Sequence, residues 1–525
     1  MLTGTFNNIE DIFQRTIKNP ELIFCIVGPI GVDIDCVVSS LEKYLEDVNY
    51  KTYVIHITKH AISEKINISI DDSSYSSRYK SLIQYGNAFR EIAKTKSAFA
   101  GVAISKIQAI RKAIAPSTNE KEERSGDPAF GTAYIVRQFK RPEEIELMRR
   151  IYGRKFIQVS VFGSPIERRK ALMAKIRAFN SAPKSDEKCE KDAIDLIEMD
   201  NNQKDEPNGQ RLSDVFHLGD VFVDGIEKGR TNETIRRFIM ALFGDTRVSP
   251  TKDEYGLYIA TAASLRSVDL SRQVGAAIFS KRGEVVSLGC NEVPKATGGT
   301  YWADDPMPIA RDVERGSDPN QDRRNEILYD LLDRMTKSGF LSPQLTSKAD
   351  GQSRVDQLLA DSHVADAQLM DIIEYGRIIH AEMSAISDAA RLGRATGGAT
   401  LFCTTFPCHL CAKHIVAAGM ERVVFLEPYP KSYAHKLHSD SITFDRSTSE
   451  DEKVLFEPFI GISPRRYRDI FEKKKRKDAT GKAKDWYEGE PIPLIEDKSG
   501  SYIYNEEVAI ILTLKELFSD PLDQK

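Results

Sequence analysis

The segment from His380 to Cys411 constrains this chain more than any other part of its 525 residues. It contains His-Ala-Glu at residues 380–382 and Pro-Cys-His-Leu-Cys at residues 407–411. One imidazole and two thiolates make a three-ligand zinc set that leaves the fourth tetrahedral position open to water. Because structural zinc sites are usually closed by four protein ligands, His380, Cys408 and Cys411 indicate a zinc ion used for chemistry. The carboxyl group of Glu382 is close enough in sequence to exchange protons with that water.

A closed structural zinc site and a redox pair of cysteines are the alternatives to a catalytic zinc ion. Cys403 and His414 are near enough in sequence for either to supply a fourth ligand. The local pattern favours catalysis, because residues 400–403 are typical of a strand and residues 412–418 of a helix. Cys408 and Cys411 then lie at the first turn of that helix, where backbone N–H groups favour thiolates. A second helical pattern over residues 379–392 begins near the histidine, so two helix N-termini are predicted to converge on one metal.

The order His-x-Glu followed by Pro-Cys-x-x-Cys resembles the signature of zinc-dependent nucleobase deaminases, in which the glutamate is the general acid and base. Residues 267–278 resemble the first helix-to-strand passage of deoxycytidylate deaminases, and residues 289–295 resemble their G-x-N-x-x-P-[KR] loop. This resemblance implies that Asn291 holds the substrate, that Lys295 meets its phosphate and that Tyr429 lies near the base. From the residues alone, Lys295 fits a solvated loop lysine equally well, and Tyr429 fits a packing aromatic.

The N-terminal region has a separate signal. An apolar run at residues 22–27, the Gly-Pro-Ile-Gly turn of residues 28–31 and a helix with apolar residues at helical spacing have the layout of a P-loop. The phosphate-binding lysine and the hydroxyl that follows it are missing, since Ile34 and Asp35 hold those positions counted from Gly28. Counted from Gly31 as the second glycine, the positions hold Val32 and Asp33. The pattern therefore predicts a degenerate P-loop that transfers no phosphoryl group.

Four further strands are predicted at residues 53–57, 132–136, 156–161 and 220–224, separated by helical patterns. Alternating strands and helices indicate a doubly wound parallel sheet. The order resembles nucleoside-monophosphate and dephospho-coenzyme-A kinases, which implies a lid-like region at Arg168 and Arg169; solvated helix charges are the alternative. We predict an α/β protein, with an N-terminal P-loop kinase-like doubly wound sheet over residues 1–245. A C-terminal cytidine-deaminase-like α/β/α domain is predicted over residues 246–525.

Three segments stand apart from these domains. Residues 185–210 are polar and acidic and are predicted to be a surface excursion. Residues from about 306 to 365 interrupt the C-terminal domain near its substrate side, which predicts that they wall the pocket or mediate assembly. The basic run Lys473–Lys477 is typical of a solvated helix end, with contact to RNA or phosphate as the alternative.

Composition excludes several classes of protein. Hydrophobic residues make up 41% and charged residues 29%, an ordinary balance for a globular protein with real cores. The sequence contains no run of 18 apolar residues, so it predicts no membrane span. Seven cysteines and the lack of a signal-peptide pattern favour a cytoplasmic location. The net charge of −4 argues against a broad basic surface that binds nucleic acid.

Across its length the chain resembles bacterial anti-phage deoxycytidine-nucleotide deaminases, which fuse a degenerate P-loop kinase-like domain to a deaminase. The resemblance implies zinc-dependent conversion of dCTP and dCMP to dUTP and dUMP, which depletes dCTP during infection. It also implies control before infection, with an inhibitory small RNA as a partner, and we expect a homo-oligomer. A housekeeping dCMP deaminase, a nucleic-acid cytidine deaminase and a regulatory protein with a relic deaminase domain are the alternatives.

Overall fold

The computed structural model describes residues 19–114, 128–179, 185–201, 203, 206–342, 345, 351–365, 367–429, 432–444, 453–495 and 502–518. The chain divides into two compact units. Unit 1 contains Met1–Glu254 together with Ile460–Lys525, and unit 2 is Tyr255–Phe459. Unit 1 is therefore discontinuous in sequence. This division differs from the predicted one, because the segment after residue 459 belongs with the N-terminal part of the chain rather than with the second domain.

The strands of the described residues are β1 (Leu22–Val27), β2 (Lys51–His56), β3 (Thr132–Arg137), β4 (Phe156–Phe162), β5 (Val221–Asp224), β6 (Gly275–Phe279), β7 (Val285–Cys290), β8 (Thr400–Thr405), β9 (Arg422–Glu427), β10 (Ile442–Thr443), β11 (Val454–Pro458) and β12 (Gly461–Ile462).

The α-helices are α1 (Ile34–Glu46), α2 (Ile57–His60), α3 (Tyr75–Ile92), α4 (Ala98–Ile114), α5 (Pro142–Tyr152), α6 (Pro165–Phe179), α7 (Asp186–Asn201), α8 (Leu212–Phe216), α9 (Lys228–Leu242), α10 (Lys252–Ser264), α11 (Asp312–Arg315), α12 (Pro319–Lys337), α13 (Gly351–Leu359), α14 (Ser362–Ala365), α15 (Ala381–Arg391), α16 (His409–Ala417), α17 (Ala434–Leu437), α18 (Pro464–Phe471) and α19 (Tyr502–Phe518).

The sheet of unit 1 has the strand order β12-β5-β4-β1-β3-β2. Its neighbours are parallel, except that β12 pairs antiparallel with β5 at one edge. Every residue of β1 is buried, and alternate side chains enter two different cores, one containing α1 and α9 and the other α4, α5 and α19. A continuous apolar strand is typical of a parallel sheet covered by helices on both faces. The five strands predicted for the N-terminal region are all present.

The C-terminal segment completes unit 1. Besides β12, it contributes α19, which packs against α4. A buried ion cluster closes this contact: the guanidinium of Arg111 lies 2.8 Å from carboxylate oxygens of both Glu21 and Glu506. The hydroxyl of Tyr502 donates a hydrogen bond to Glu21 at 2.6 Å. Because an unpaired buried charge is strongly destabilising, this cluster holds the last helix to the residues just before β1 and to α4.

The segment at residues 185–210 is not a surface excursion, so that prediction was wrong. It contains α7, whose Cys189, Ala193 and Leu196 are fully buried against Leu172 and Ile176 of α6. The polar composition conceals this helix, because only one narrow face of α7 is apolar.

The sheet of unit 2 has the order β10-β11-β9-β8-β6-β7. β6 runs antiparallel to β7 and β8, and the remaining pairs are parallel. α15 packs on β6 and β7 and contacts α16. The protein is therefore a mixed α/β protein with two sheets in which parallel pairing dominates. The predicted insertion forms α11 to α14, with a small core of its own around Leu328, Leu332 and Val355.

No helix among the described residues is long and apolar enough to cross a membrane. The basic run follows α18, and its residues 474–477 are exposed, whereas Lys473 donates a hydrogen bond to the backbone carbonyl of Asp245 at 2.8 Å.

Candidate active site

Two helix N-termini in unit 2 carry the predicted metal ligands. His380 is the N-cap of α15 and Cys408 is the N-cap of α16, each with an extended backbone, and Cys411 lies in the first turn of α16. The helical patterns predicted around both motifs are present. The free N–H groups at a helix N-terminus favour negative charge, which suits thiolates and the carboxylate of Glu382 in the first turn of α15.

The position of α15 depends on a glycine in the neighbouring strand. Gly289 of β7 passes so close to the helix that a Cβ atom built on it would lie 2.1 Å from the backbone oxygen of Ala381. The same atom would lie 2.5 Å from the backbone nitrogen of Ala385. Only a residue without a side chain allows this approach. The glycine of the G-x-N-x-x-P-[KR] loop therefore allows α15, which carries Glu382 and is capped by His380, to pack directly against the sheet.

The three ligand atoms are already close together. The Nδ1 atom of His380 lies 3.3 Å from the sulfur of Cys408 and 3.4 Å from that of Cys411, and all three atoms lie within 4.8 Å of one another. Tetrahedral zinc bonds of about 2.0–2.3 Å require nitrogen and sulfur to be roughly 3.6 Å apart. A zinc ion fits this group with little movement of its ligands.

Neither alternative fourth ligand joins the group among the described residues. The thiol of Cys403 lies in β8 and donates to the backbone oxygen of Val424 at 3.8 Å. His414 is exposed on α16. The protein therefore supplies three ligands, which is the number that catalytic zinc sites use.

Neighbouring groups shift the pKa values of the metal ligands. The pKa of Cys408 lies well below its usual range, because it interacts with the thiol of Cys411 and with the imidazole of His380. The pKa of His380 is raised, chiefly by its hydrogen bond to Cys408. The site therefore favours one thiolate before a metal binds, which lowers the proton release that metal binding requires.

Glu382 is a buried carboxyl group, only 4% exposed. Its Oε2 atom accepts a hydrogen bond from the sulfur of Cys411 at 3.4 Å. Burial raises the pKa of Glu382, and the negative charge of Cys408 raises it further. A carboxylate with a raised pKa is a stronger base than an ordinary one, which suits it to accept a proton and return it, as general acid–base catalysis requires.

A cavity of about 430 Å³ opens onto His380, Cys408 and Glu382. This volume lies within the usual range for small-molecule sites. Its walls include Phe406 and Tyr429 from the loops after β8 and β9. The insertion supplies another wall through residues of α12 and of the segments beside it, so the part of the prediction that placed this insertion at the pocket is confirmed.

Of the three residues predicted to bind the substrate, Asn291 and Tyr429 line the cavity and Lys295 does not. Asn291 lines the cavity, but its Oδ1 accepts from the backbone N–H of Val274 at 2.7 Å and its Nδ2 donates to the carbonyl of Arg272 at 2.8 Å. It therefore holds the loop before β6. Tyr429 lines the cavity, with the Arg272 guanidinium 5.0 Å from its ring centre. Lys295 does not line it; its ammonium group lies 2.6 Å from Asp305.

The turn predicted to be a degenerate P-loop lies in unit 1, after β1. Gly31 has a left-handed backbone with φ of +98°, and a Cβ atom on it would lie 2.8 Å from the backbone oxygen of Arg168. A Cβ atom on Gly28 would meet side chains of Val32, Ile34 and Val161 at 3.0–3.2 Å. Gly31 is therefore required by its left-handed backbone and by its close approach to Arg168, whereas a Cβ atom on Gly28 would press on neighbouring side chains.

Comparison with known proteins identifies the domain that carries the site. Residues 250–427 match the cytidine and deoxycytidylate deaminase zinc-binding region. The part of the chain that carries the site is therefore similar to the zinc-binding region of cytidine and deoxycytidylate deaminases. Zinc is the cofactor of this domain, as predicted, because the family binds zinc and the histidine and two cysteines form a fitting group.

Several curated proteins are similar to parts of this chain. ComE operon protein 2 of Bacillus subtilis is 34% identical over 95 residues, which are 18% of this chain and 50% of that protein. The deoxycytidylate deaminase of Enterobacteria phage T2 is 46% identical over 54 residues, 10% of this chain and 29% of the relative. The human deoxycytidylate deaminase is 24% identical over 208 residues, 39% of this chain and 79% of the relative. The chain thus spans half or less of the first two relatives.

Among solved structures, the dCMP deaminase of cyanophage S-TIM5 in its apo form is similar to this chain at a TM-score of 0.21 and 15% identity. The match covers 40% of this chain and 99% of that one.

Sequence reasoning missed three arginines that line the cavity of the deaminase domain: Arg272, Arg324 and Arg377. Arg377 pairs with Asp312 at 2.5 Å and donates to the carbonyl of Ala310 at 3.0 Å. Arg324 lies on α12 of the insertion, so no local pattern relates it to the zinc motif. Arg377 had a usable signal, since it precedes the zinc-binding histidine by three residues.

Proposed function

We propose that this protein is a zinc-dependent deoxycytidine-nucleotide deaminase that converts dCMP and dCTP to dUMP and dUTP. One observation carries the proposal: a buried glutamate with a raised pKa lies beside a three-ligand zinc group at a cavity of nucleotide size. The match of residues 250–427 to a cytidine and deoxycytidylate deaminase region supports the reaction class. The relatives named as deoxycytidylate deaminases support the substrate class.

The chemistry divides between the metal and the chain. Zinc bound by His380, Cys408 and Cys411 supplies Lewis-acid chemistry, which lowers the pKa of water from about 15.7 to about 7. Glu382 accepts the proton of the attacking water. It returns this proton to N3 of the cytosine ring as the water oxygen bonds to C4, then takes the second proton from that oxygen and gives it to the amino group on C4. The C4–N bond breaks, ammonia leaves, and the water oxygen becomes the carbonyl oxygen of uracil.

The cavity also supports recognition of a phosphorylated substrate. Arg272, Arg324 and Arg377 line it, and arginine suits phosphate because its N–H groups match two oxygens at once. We assign phosphate binding to these arginines rather than to Lys295, which does not line the cavity. Asn291 contributes by holding the loop that carries Arg272.

Substitution of Arg272 tests this assignment, since its side chain is partly exposed and its ion pair with Glu427 is long, at 3.5 Å. Arg272→Met should lower kcat/KM for dCMP by about tenfold or more, the usual range for a lost charged contact. It should leave the rate with deoxycytidine, which has no phosphate, near the wild-type value. Lys295→Met is the matched control and should leave both rates unchanged. Equal losses for dCMP and deoxycytidine would contradict a phosphate contact.

The substrate is identified by incubating the purified protein with dCMP, dCTP, CMP, CTP and cytosine-containing single-stranded DNA, with Glu382→Gln as the blank. Deamination of free deoxycytidine nucleotides supports the proposal. Deamination of the DNA alone would favour a nucleic-acid cytidine deaminase, the alternative for which flipped bases need a basic groove. Activity on dCMP without dCTP would favour a housekeeping dCMP deaminase.

For the cell, we propose that the reaction depletes dCTP during phage infection and that unit 1 is a P-loop kinase-like domain without phosphoryl transfer. The parallel sheet of unit 1 and the missing P-loop lysine support the second statement. dCTP measured after infection should fall in cells with the wild-type protein and stay level with Glu382→Gln. Equal dCTP in both would contradict the defensive role. Restraint by a small RNA and self-assembly stay predictions from the resemblance.

A further inference from the structure

The degenerate P-loop turn of unit 1 binds a carboxylate of its own chain. In an active P-loop, backbone N–H groups of the turn after the first strand cradle phosphate oxygens. Here the backbone N–H of Ile30 donates to Oδ2 of Asp200 at 2.6 Å. Asp200 is fully buried and lies in the last turn of α7, 170 residues further along the chain. An anionic group therefore occupies the place at this turn where a phosphate would bind.

Two buried cations accompany this carboxylate. The ammonium group of Lys140 lies 2.8 Å from Oδ1 of Asp200 and donates to the backbone carbonyl of Gly28 at 3.0 Å. The guanidinium of Arg168 donates from Nε to the carbonyl of Ile30 at 2.9 Å. Lys140 is 7% and Arg168 6% exposed. Both cations thus contact the turn itself, and neither belongs to the standard P-loop sequence.

The cluster has more donors than the carboxylate uses. The Nη2 atom of Arg168 is buried and has no hydrogen-bond partner among the described residues. Burial lowers the pKa of Arg168, and the negative charge of Asp200 only partly opposes this. Two cations and one carboxylate leave an excess of positive charge. A phosphate group has more acceptor oxygens and more negative charge than a carboxylate, so it would satisfy this cluster more fully.

The rest of the turn is closed from within. The backbone N–H of Asp33 donates to the carbonyl of Gly225 at 2.8 Å, and the side chain of Asp33 caps α1 by accepting from Cys36 at 3.0 Å. The backbone N–H groups of Asp33 and Cys36 are therefore already used, and the Ile30 amide with Lys140 and Arg168 is the part of the turn that contacts an anionic group.

We propose that Ile30, Lys140 and Arg168 form a phosphate-binding site whose anion position is held by Asp200, so that a phosphate group binds only when Asp200 withdraws. The ligand class is a phosphate group, either inorganic or at the end of a nucleotide. The carboxylate acts as an internal competitor, and α7 is the element that must move for the site to open.

Titration calorimetry of the full-length protein with inorganic phosphate and, separately, with ADP tests this proposal. Asp200→Asn keeps the shape of the side chain and removes its charge, so we expect a Kd for inorganic phosphate at least about tenfold lower than in the wild-type protein. Asp195→Asn, on the same helix and only partly buried, is the matched control and should behave like the wild type. Adding Lys140→Met to Asp200→Asn should abolish the gain. Tighter binding of ADP than of phosphate would identify a nucleotide as the source.

Equal phosphate affinity in the wild type and Asp200→Asn, or no binding by either, would overturn the proposal. If Asp200→Asn does not fold alone, refolding is repeated with phosphate and with chloride at equal ionic strength. Recovery in phosphate only would support the site, since a ligand that binds the native state stabilises it. Failure in both salts would overturn it.

Discussion

Replacement of Gly289 by alanine should disable the zinc site without touching any residue that contacts the metal. The added Cβ atom would lie 2.1 Å from the backbone oxygen of Ala381, whereas ordinary contacts begin at 3.4 Å. Both neighbours are backbone atoms of α15, so no side chain can rotate away to relieve the clash. β7 and α15 must therefore separate by roughly 1 Å, the scale at which misplaced groups lose about 10²-fold in rate.

The size of the effect follows from what α15 carries. His380 caps this helix and Glu382 lies in its first turn, so a shift of the helix moves a zinc ligand and the proton carrier together. Overpacking of a close contact costs about 1–3 kcal/mol of folding free energy. We expect Gly289→Ala to fold with a lower Tm, to lose zinc to a chelator more readily, and to deaminate about 10²-fold more slowly.

The assay compares zinc per chain, the melting temperature and the rate of deamination. Gly397→Ala is the matched control in the same unit, because a Cβ atom there meets nothing within 4 Å and the backbone is not left-handed. It should match the wild type in all three measurements. Wild-type zinc content and rate in Gly289→Ala would refute the reasoning, because β7 would then tolerate a side chain against α15.

Three further predictions concern single side chains. Cys408→Ser should lose zinc and activity together, whereas Cys403→Ser should keep the zinc, as measured by metal analysis. Glu382→Gln should keep zinc and fold but lose a factor of about 10²–10⁴ in turnover, and near-normal turnover would mean that another group moves the proton. Arg111→Met should destabilise unit 1 by about 3–5 kcal/mol in denaturant unfolding, since two glutamates stay buried without their cation. Burial raises the pKa of Glu21, but Arg111 outweighs burial and the net pKa is lowered. Wild-type stability should therefore decrease as the pH drops below about 4.5, whereas the Arg111→Met variant, in which Glu21 lacks its cation, should gain stability as the pH falls towards that value. Parallel pH profiles would contradict the pairing.

The elements that the sequence predicted are those with strong local signals. β1 is a run of six apolar residues that enters two cores, and such a run needs no distant partner to be recognised. The zinc group was predictable for a related reason. Its ligands lie at the N-termini of two helices, and each helix begins within its own motif. The open metal site follows once the two motifs share one sheet.

The features that escaped prediction depend on contacts between distant parts of the chain. Asp200 lies in a polar, acidic stretch, and nothing in that stretch marks the one carboxylate that is buried against Ile30. Lys295 follows the deaminase loop pattern, yet its ammonium group forms an ion pair with Asp305. Arg324 reaches the cavity from an insertion whose packing the sequence does not reveal. In each case the partner, rather than the residue type, decides the role.

The discontinuity of unit 1 changes how the deaminase domain must be isolated. A fragment that begins near Asp253 retains α19 but lacks Arg111 and Glu21, so it exposes Glu506 without its cation and β12 without β5. Inactivity of such a fragment would report misfolding of its last helix and would say nothing about regulation by unit 1. Because unit 2 is inserted between Glu254 and Ile460, a fragment limited to Tyr255–Phe459 contains unit 2 alone and omits β12 and α19. That fragment asks whether the zinc site works without unit 1.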